Sequence, residues 1–298
     1  MLKKMILAAL ASTALAAAAA PIKTAKGEVE IAKVPERIAV YDIGVLDTLV
    51  ALGLGDKIVG VPVKDFSGPY QTPNAKEVGE LKKPDFEALA GVKPDLVIVA
   101  QRSAPALDDA SQVAQTIDLT LTSDNFYQEG LERTQALGKL FGREAEAEKI
   151  VADLNKLRDE VKALSKDKGK VLSIMVNGNK IALYGSDSRA NYLKSELGLQ
   201  LIDAKDQKND KHGIPVSFEF IAEQNPDWIY ALDRLAAIGQ EGASAKETLK
   251  NKLVEGTTAW QKQQVIYPDA TNIYINIGGP TALQKSLSEL KEAFSAKP

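Results

Sequence analysis

The sequence predicts an α/β fold of two Rossmann-like lobes with parallel sheets, joined by one long helix. Three observations support this prediction: strand patterns alternate with helical ones, one long helical segment interrupts the alternation, and one pattern recurs in both halves. Alternating strands and helices form parallel sheets with helices packed on their faces. We expect a signal peptide at residues 1–20, an N-terminal lobe at 22–142, a linking helix at 143–165 and a C-terminal lobe at 167–298.

Residues 1–20 have the order of regions found in a secretory signal peptide. Lys3 and Lys4 precede an apolar run, and a row of alanines ends just before Pro21. The run is too short and too rich in alanine to span a membrane. The chain contains no cysteine, which excludes a lipid anchor, a disulfide and a zinc finger. We therefore expect a secreted protein that is free in the periplasm.

Charge and motif content exclude several classes of function. Residues 1–20 carry two lysines and no acid, so the formal charge falls from −3 to −5 without them. A negative chain is a poor partner for nucleic acid or an anionic membrane. The chain has one histidine, which excludes a multi-histidine metal site. The motifs of serine hydrolases, P-loop proteins and dinucleotide-binding enzymes are missing from suitable positions, so we do not expect an enzyme.

In the N-terminal lobe, short apolar runs alternate with helical segments. The strands are predicted at residues 37–41, 58–61, 96–100 and 119–122, and the helices at 45–52, 86–92 and 128–141. The run at 96–100 is apolar throughout, which is typical of a parallel strand covered on both faces.

Residues 143–165 contain no glycine or proline and predict one unbroken helix. Its apolar residues are Ile150, Val151, Leu154, Leu157, Val161 and Leu164, and all of them except Val151 form a single stripe. At 1.5 Å per residue this helix would be about 34 Å long. Placed between the lobes, it predicts a stiff connection.

After residue 169 the alternation of strands and helices begins again. The strands are predicted at residues 171–176, 181–184, 228–232 and 272–275, and the helices at 190–197 and 281–294.

The two halves share one pattern, at residues 86–102 and 218–234. Six of the 17 aligned positions are identical, and each copy reads as a helix, a Pro-Asp turn, a buried strand and an arginine. Such units are common in α/β proteins, which could explain the Pro-Asp pair but less readily the shared final arginine. The repeat therefore pairs Arg102 with Arg234, and it places Glu87 and Glu219 at equivalent positions near the helix starts.

Three arginines are candidates for binding an anion. Arg102 and Arg234 each follow a predicted strand, and Arg189 lies in a loop that leads into a helix. Ligands of open α/β sheets bind beyond the carboxyl ends of the strands. Guanidinium groups there would bind an anion through paired hydrogen bonds and stack on aromatic rings.

Several stretches resemble the bacterial periplasmic binding proteins for ferric siderophores, and among them the enterochelin-type, catecholate branch. The stretches are YDIGVLDTLVALGLGDKIVGVP, DFEALAGVKPDLVIVAQR, LYGSDSR, KHGIPVSFEFI, NPDWIYALDR and IYINIGG, and the resemblance runs from about Lys26 to the C-terminal helix. It implies two α/β lobes joined by one long helix. One departure is Pro280 after the two glycines.

The resemblance also implies roles for single residues. Arg102, Arg189 and Arg234 are similar to the family's arginine triad, and His212 and Tyr274 to its iron-ligating pair. Glu87 and Glu219 are similar to the glutamates that dock on the permease.

The implied function is capture of a ferric catecholate siderophore between the lobes and its delivery to the permease dimer of an ABC transporter. Iron would arrive as the siderophore complex, with no permanently bound cofactor, and the protein is expected to be a monomer. Two alternatives stay open. One is a haem or cobalamin carrier on the same fold, and the other is a periplasmic enzyme on two Rossmann-like lobes.

Overall fold

The computed structural model describes residues 21–63, 70–123, 125–185, 188–203 and 213–296. The signal peptide predicted at residues 1–20 and the candidate iron ligand His212 lie outside these ranges. Among the described residues, no helix combines the length and the apolar character needed to cross a bilayer.

The strands of the described residues form two main sheets and two small antiparallel hairpins. In chain order they are β1 Ile22–Thr24, β2 Gly27–Val29, β3 Ile38–Val40, β4 Ile58–Val61, β5 Lys76–Glu77, β6 Gly79–Glu80, β7 Lys83–Pro84, β8 Leu96–Val99, β9 Thr116–Asp118, β10 Lys170–Asn177, β11 Lys180–Leu183, β12 Gln200–Leu201, β13 Ile214–Pro215, β14 Trp228–Asp233 and β15 Val265–Ile266.

The first main sheet is parallel throughout and has the order β5-β4-β3-β8-β9. Every residue of β3 and β8 is buried. Their continuous apolar sequences are explained by helices that cover both faces of the sheet.

The second main sheet is mixed, with the order β13-β11-β10-β14-β15 and with β12 also beside β10. Its centre is parallel, as the sequence predicts, because β10 pairs in parallel with β12 and β14. One edge is antiparallel, because β10 turns back into β11 through Gly178 and Asn179. Gly178 has φ +60°, the positive φ that the first residue of a two-residue type II′ hairpin turn requires.

The helices cover the sheets and connect the lobes. They are α1 Ile43–Ala51, α2 Phe86–Gly91, α3 Leu107–Ala110, α4 Phe126–Phe141, α5 Glu144–Leu164, α6 Tyr192–Ser195, α7 Phe218–Gln224, α8 Arg234–Ala237, α9 Ala245–Thr248, α10 Lys252–Glu255, α11 Thr258–Gln261, α12 Ala270–Tyr274 and α13 Pro280–Ser295.

The long linking helix is confirmed, since α5 runs unbroken through most of the predicted segment. The C-terminal helix α13 packs against α5 and also against α1 of the first lobe. The chain therefore forms two α/β lobes joined by α5, and its last helix returns to the first lobe. The lobe boundaries 22–142 and 167–298 stay a prediction.

The strand predicted at residues 119–122 is wrong. Strand β9 covers Thr116–Asp118 instead, and its pairing with β8 ends where the Leu119 N–H donates to the Val99 carbonyl (2.9 Å). The carboxylate of Asp118 then accepts a hydrogen bond from the Thr120 N–H (2.9 Å). This local bond turns the chain away from the sheet.

The strand predicted at residues 272–275 is also wrong, because this region forms helix α12. Asp269 caps that helix by accepting a hydrogen bond from the Thr271 N–H (3.0 Å). Ile273, Tyr274 and Ile275 are all buried. Their apolar character reflects burial between packed elements and not a strand period.

Candidate functional site

Arg102 reaches the site from the carboxyl end of β8. The preceding residue, Gln101, has φ +50°, so the chain turns sharply where the strand ends. The Gln101 N–H donates to Thr120 Oγ1 (2.8 Å), which stabilises this turn. The turn directs the half-buried Arg102 towards the C-terminal lobe.

The other two arginines begin short helical segments of the C-terminal lobe. Arg234 is the first residue of α8, directly after β14, and Asp233 caps that helix by accepting from the Ala236 N–H (3.0 Å). Arg189 begins a 3₁₀ helix at Arg189–Asn191, where the sequence predicted one helix over 190–197. Both arginines are half-buried.

All three predicted arginines meet the predicted tyrosine, and we call Arg102, Arg189, Arg234 and Tyr274 the arginine–tyrosine cluster. Arg102 Nη2 and Arg189 Nη1 both donate to the Tyr274 carbonyl, at 2.7 and 3.0 Å. Arg234 Nε donates to Tyr274 Oη at 3.2 Å. Residues far apart in sequence and from both lobes are thus brought to one point.

The guanidinium groups also lie over the tyrosine ring. The Cζ atoms of Arg102, Arg189 and Arg234 are 4.9, 4.8 and 5.8 Å from its centroid. Cations within about 6 Å of an aromatic centroid are attracted by the ring's quadrupole. The ring of Tyr274, which is 6% exposed, is therefore surrounded by positive charge.

The positive charge of the cluster is not balanced by direct ion pairs with described residues. Within the described ranges, none of the three arginines forms a salt bridge with a carboxylate, and the charge of Asp42 acts on Arg102 from beyond salt-bridge distance. Burial and the nearby charge of Arg189 lower the pKa of Arg102. A group of like charges that is partly desolvated favours an anionic ligand.

The same charges act on the phenol of Tyr274. Burial alone would raise its pKa, but the hydrogen bond from Arg234 and the charges of the three arginines outweigh burial, so the pKa is lowered. The phenolate, which is the form that binds a metal ion, is favoured at this position.

One residue near the cluster escaped the reasoning from sequence. Asn177 Oδ1 accepts a hydrogen bond from Arg234 Nη1 (3.2 Å), which helps to hold that arginine in place. Asn177 directly precedes the Gly178-Asn179 turn, but nothing in the sequence connects it with Arg234.

Three predicted site residues remain, and they are His212, Glu87 and Glu219. His212 lies outside the described residues, so the pairing of His212 with Tyr274 stays a prediction. Glu87 and Glu219 are exposed in the first turns of α2 and α7. Their equivalent placement matches the internal repeat, and their role stays a prediction.

Comparison with known proteins identifies relatives over nearly the whole chain. The model of the periplasmic binding protein family matches residues 38–271. The chain is 31% identical over 273 residues to the petrobactin-binding protein YclQ of Bacillus subtilis, covering 90% of this chain and 86% of that protein.

Solved structures have the same architecture. The iron-uptake binding protein PiuA of Streptococcus pneumoniae superposes with a TM-score of 0.85 at 30% identity, over 92% of this chain and 98% of that one. The catecholate-siderophore binding protein VctP of Vibrio cholerae superposes with a TM-score of 0.83 at 25% identity, over 92% and 99%.

Proposed function

The chain belongs to the periplasmic binding protein family, and from that premise we propose that it captures ferric catecholate siderophores between its lobes for an ABC importer. The observation that carries this proposal is the convergence on one tyrosine of three arginines that form no salt bridge with any described carboxylate. Two relatives support it, since YclQ is a petrobactin-binding protein and VctP a catecholate-siderophore binding protein.

The chemistry of the cluster suits a ferric catecholate. Such a complex is anionic and has flat aromatic faces. Guanidinium groups neutralise anions through directed hydrogen bonds and stack on aromatic faces. In the structure, Arg102 and Arg189 already lie over an aromatic ring and so have the orientation that a catechol ring would need.

We assign Tyr274 and His212 to the iron itself. A tetradentate siderophore leaves two of six coordination positions on ferric iron open, and a phenolate and a neutral imidazole can fill them. The lowered pKa of Tyr274 supports this role. Iron is cargo here and leaves with the siderophore.

Delivery to the transporter would involve Glu87 and Glu219. Both carboxylates are exposed, one on each lobe, at equivalent positions of the repeat. A permease dimer could contact one with each subunit, and exposed charges of this kind set the register of docking. We further propose that the protein is secreted and acts as a monomer. We propose that it is free in the periplasm, because a lipid anchor of the lipoprotein type is attached to a cysteine and the chain has none.

The proposal is tested by titrating the purified protein with ferric complexes of a tetradentate bis-catecholate and a hexadentate tris-catecholate. Binding is followed by the fluorescence of Trp228 and Trp260. Wild-type protein should bind both. Tyr274→Phe and His212→Ala should weaken binding of the tetradentate complex far more than that of the hexadentate one, because only the former has open coordination positions.

The iron–phenolate absorption band provides a second measurement. It should form with the tetradentate complex in the wild type and in His212→Ala, and be missing in Tyr274→Phe. Wild-type protein that binds neither complex would refute the proposed function. Equal losses for both complexes would show that the two side chains only line the pocket.

A further inference from the structure

The chain leaves the C-terminal lobe directly after Tyr274 and packs against α1 and α4 of the N-terminal lobe. We call residues 275–282 the return segment. We propose that Asp47 and Asn276 are positioning residues for Tyr274, so that the N-terminal lobe fixes where the tyrosine lies among the arginines. The part that concerns the ligand rests on the proposed function, whereas the positioning rests on geometry alone.

Side chains of the N-terminal lobe bind the return segment inside the protein. Asn276 Nδ2 donates to Asp47 Oδ2 (3.1 Å) and to Tyr70 Oη (2.6 Å). The same carboxylate oxygen accepts from the Ala282 N–H (3.1 Å) at the start of α13. Asp47 and Asn276 are 1% and 3% exposed, so water does not compete with these bonds.

Asp47 provides a helix cap for α13 that the residues just before this helix do not provide. Helix α13 begins with Gly279 as its N-cap and Pro280 in its first turn, and Gly279 offers no side chain to the free N–H groups. Asp47 of α1 supplies that acceptor from the other lobe. One carboxylate therefore holds both ends of the return segment.

Backbone contacts hold the middle of the return segment. Arg133 Nη2 donates to the Ile277 carbonyl (2.9 Å). Glycines on the first lobe allow the close approach: a Cβ at Gly44 would lie 2.3 Å from the Ile277 oxygen, and one at Gly130 would lie 2.6 Å from the Gly278 oxygen. No larger residue fits at either position.

These contacts act on Tyr274 because only one residue separates it from Asn276. Helix α12 has five residues, which is too short to hold its own geometry without tertiary contacts. The Tyr274 carbonyl, which binds both Arg102 and Arg189, faces the arginines from the end of this short helix. Loosening Asn276 would let the carbonyl and the ring move away from the arginines.

The first experiment measures the position of Tyr274 without any siderophore. The chain has eight tyrosines, so ¹³C-labelled tyrosine gives a tractable NMR spectrum, and the Tyr274 signal is the one lost in Tyr274→Phe. Asn276→Ala and Tyr70→Phe each remove a contact of the return segment. Both should shift and broaden the Tyr274 signal, because the ring is no longer fixed among the guanidinium groups.

The matched control is Tyr41→Phe, which removes another buried hydroxyl of the N-terminal lobe. Tyr41 Oη donates to the Val78 carbonyl (2.8 Å), within a separate apolar cluster. This variant should lose stability and leave the Tyr274 signal in place. If Asn276→Ala does not fold, Tyr70→Phe alone tests the proposal. A Tyr274 signal that neither shifts nor broadens in Tyr70→Phe then overturns it.

The second experiment measures binding of the ferric tetradentate bis-catecholate to the same variants. Asn276→Ala and Tyr70→Phe should weaken it by roughly three- to tenfold, the scale of one hydrogen bond. Tyr41→Phe should bind as the wild type does, and unchanged affinity in both test variants would overturn the positioning role. If the wild type binds no ferric catecholate, the proposed function fails, while the NMR measurement still decides on positioning.

Discussion

Tyr274 makes it possible for three like charges to lie close together. Its carbonyl accepts from two guanidinium groups, its hydroxyl accepts from the third, and its ring lies beneath all three. These contacts give the arginine donors the hydrogen-bond partners that polar groups need when they are buried. A ligand that offers aromatic faces and anionic oxygens provides the same kinds of contact and adds full negative charge.

We predict that alanine in place of Arg102, Arg189 or Arg234 weakens binding of ferric catecholates by about 1.5–3 kcal/mol each, the scale of a hydrogen bond to a charged group. The fold should persist, because Arg102 and Arg234 follow strand ends, Arg189 begins a 3₁₀ helix, and all three side chains are half-buried. Arg37→Ala is the control, since Arg37 is exposed and contacts the Lys93 carbonyl near the opposite end of β3. Isothermal titration measures the difference, and wild-type affinity in all three variants would exclude an anion site.

We also predict a pH dependence of iron binding through Tyr274. Iron must displace the phenol proton, so affinity for a tetradentate complex should increase with pH below the pKa of Tyr274 and level off above it. Arg234 lowers that pKa by a hydrogen bond and by its charge. Arg234→Ala should therefore raise the pH at which affinity levels off, as measured by the iron–phenolate band over a pH series.

The control for the pH experiment is the hexadentate complex, whose binding needs no phenolate ligand. The affinity for this complex should not change with pH as Tyr274 loses its proton. If affinity levels off at the same pH in the wild type and in Arg234→Ala, the prediction is contradicted.

Among the structural elements, the internal repeat has a clear structural basis. In each lobe the aspartate of the Pro-Asp pair lies just before a central strand and binds the start of the neighbouring strand. Asp95 accepts from the Glu36 and Arg37 N–H groups (3.0 and 2.9 Å) ahead of β3, and Asp227 accepts from the Lys170 N–H (2.8 Å) in β10. The aspartate has the same structural role in both lobes, which explains why the same residue occurs at this position in both copies of the repeat.

We predict that Asp95→Ala and Asp227→Ala each lower the free energy of unfolding by about 1–3 kcal/mol, because backbone N–H groups lose a charged acceptor. Siderophore affinity should be unchanged, since both aspartates precede their strands whereas the ligand site lies beyond the strand ends. Urea unfolding measures the loss. Asp109→Ala, which removes an exposed carboxylate from α3, should have a much smaller effect.

The sequence correctly predicts those helices and strands whose formation depends mainly on the local pattern of apolar and polar residues. The apolar strand β8 and the uninterrupted helix α5 have that character. Helix α12 differs from the prediction because its Ile-Tyr-Ile sequence alternates as a strand does, while its cap and its packing make it a helix. Local pattern contains no information about those tertiary contacts.

For the site, the repeat indicated Arg102 and Arg234, the position of Arg189 before a helix made it a third candidate, and the family resemblance added a role for Tyr274. Asp47 and Asn276 could not be found in this way. They are 229 positions apart, and although both lie in stretches that resemble the family, nothing in those stretches links the two. Only the path of the return segment brings them together.

At the scale of the whole molecule, the lobes are joined by more than α5. Glu196 of the C-terminal lobe accepts hydrogen bonds from Asn125 at the start of α4 (2.7 Å) and from Arg158 of α5 (3.2 Å). Together with the return segment, this gives contacts between the lobes at several points. The two lobes therefore present their surfaces in a well-defined relative orientation, which a receptor could recognise.

Glu87 and Glu219 belong to that common surface. Each lies in the first turn of a helix that precedes a parallel strand, and the arginine of its lobe follows that strand. Because such a helix runs antiparallel to its strand, the start of the helix lies towards the same edge of the sheet as the arginine. The two carboxylates thus lie, one on each lobe, towards the sheet edges that carry Arg102 and Arg234.

We predict that Glu87→Lys and Glu219→Lys leave siderophore affinity unchanged and reduce iron uptake by cells, with the larger loss in the double variant. A permease dimer with a basic group on each subunit would be repelled at both contacts, and charges at the rim of an interface change association more than they change the fold. Glu148→Lys, which reverses an exposed charge on α5, is the matched control and should transport normally. Uptake of labelled ferric siderophore, measured beside affinity of the purified variants, separates docking from capture; normal transport by the double variant would exclude these two glutamates from docking.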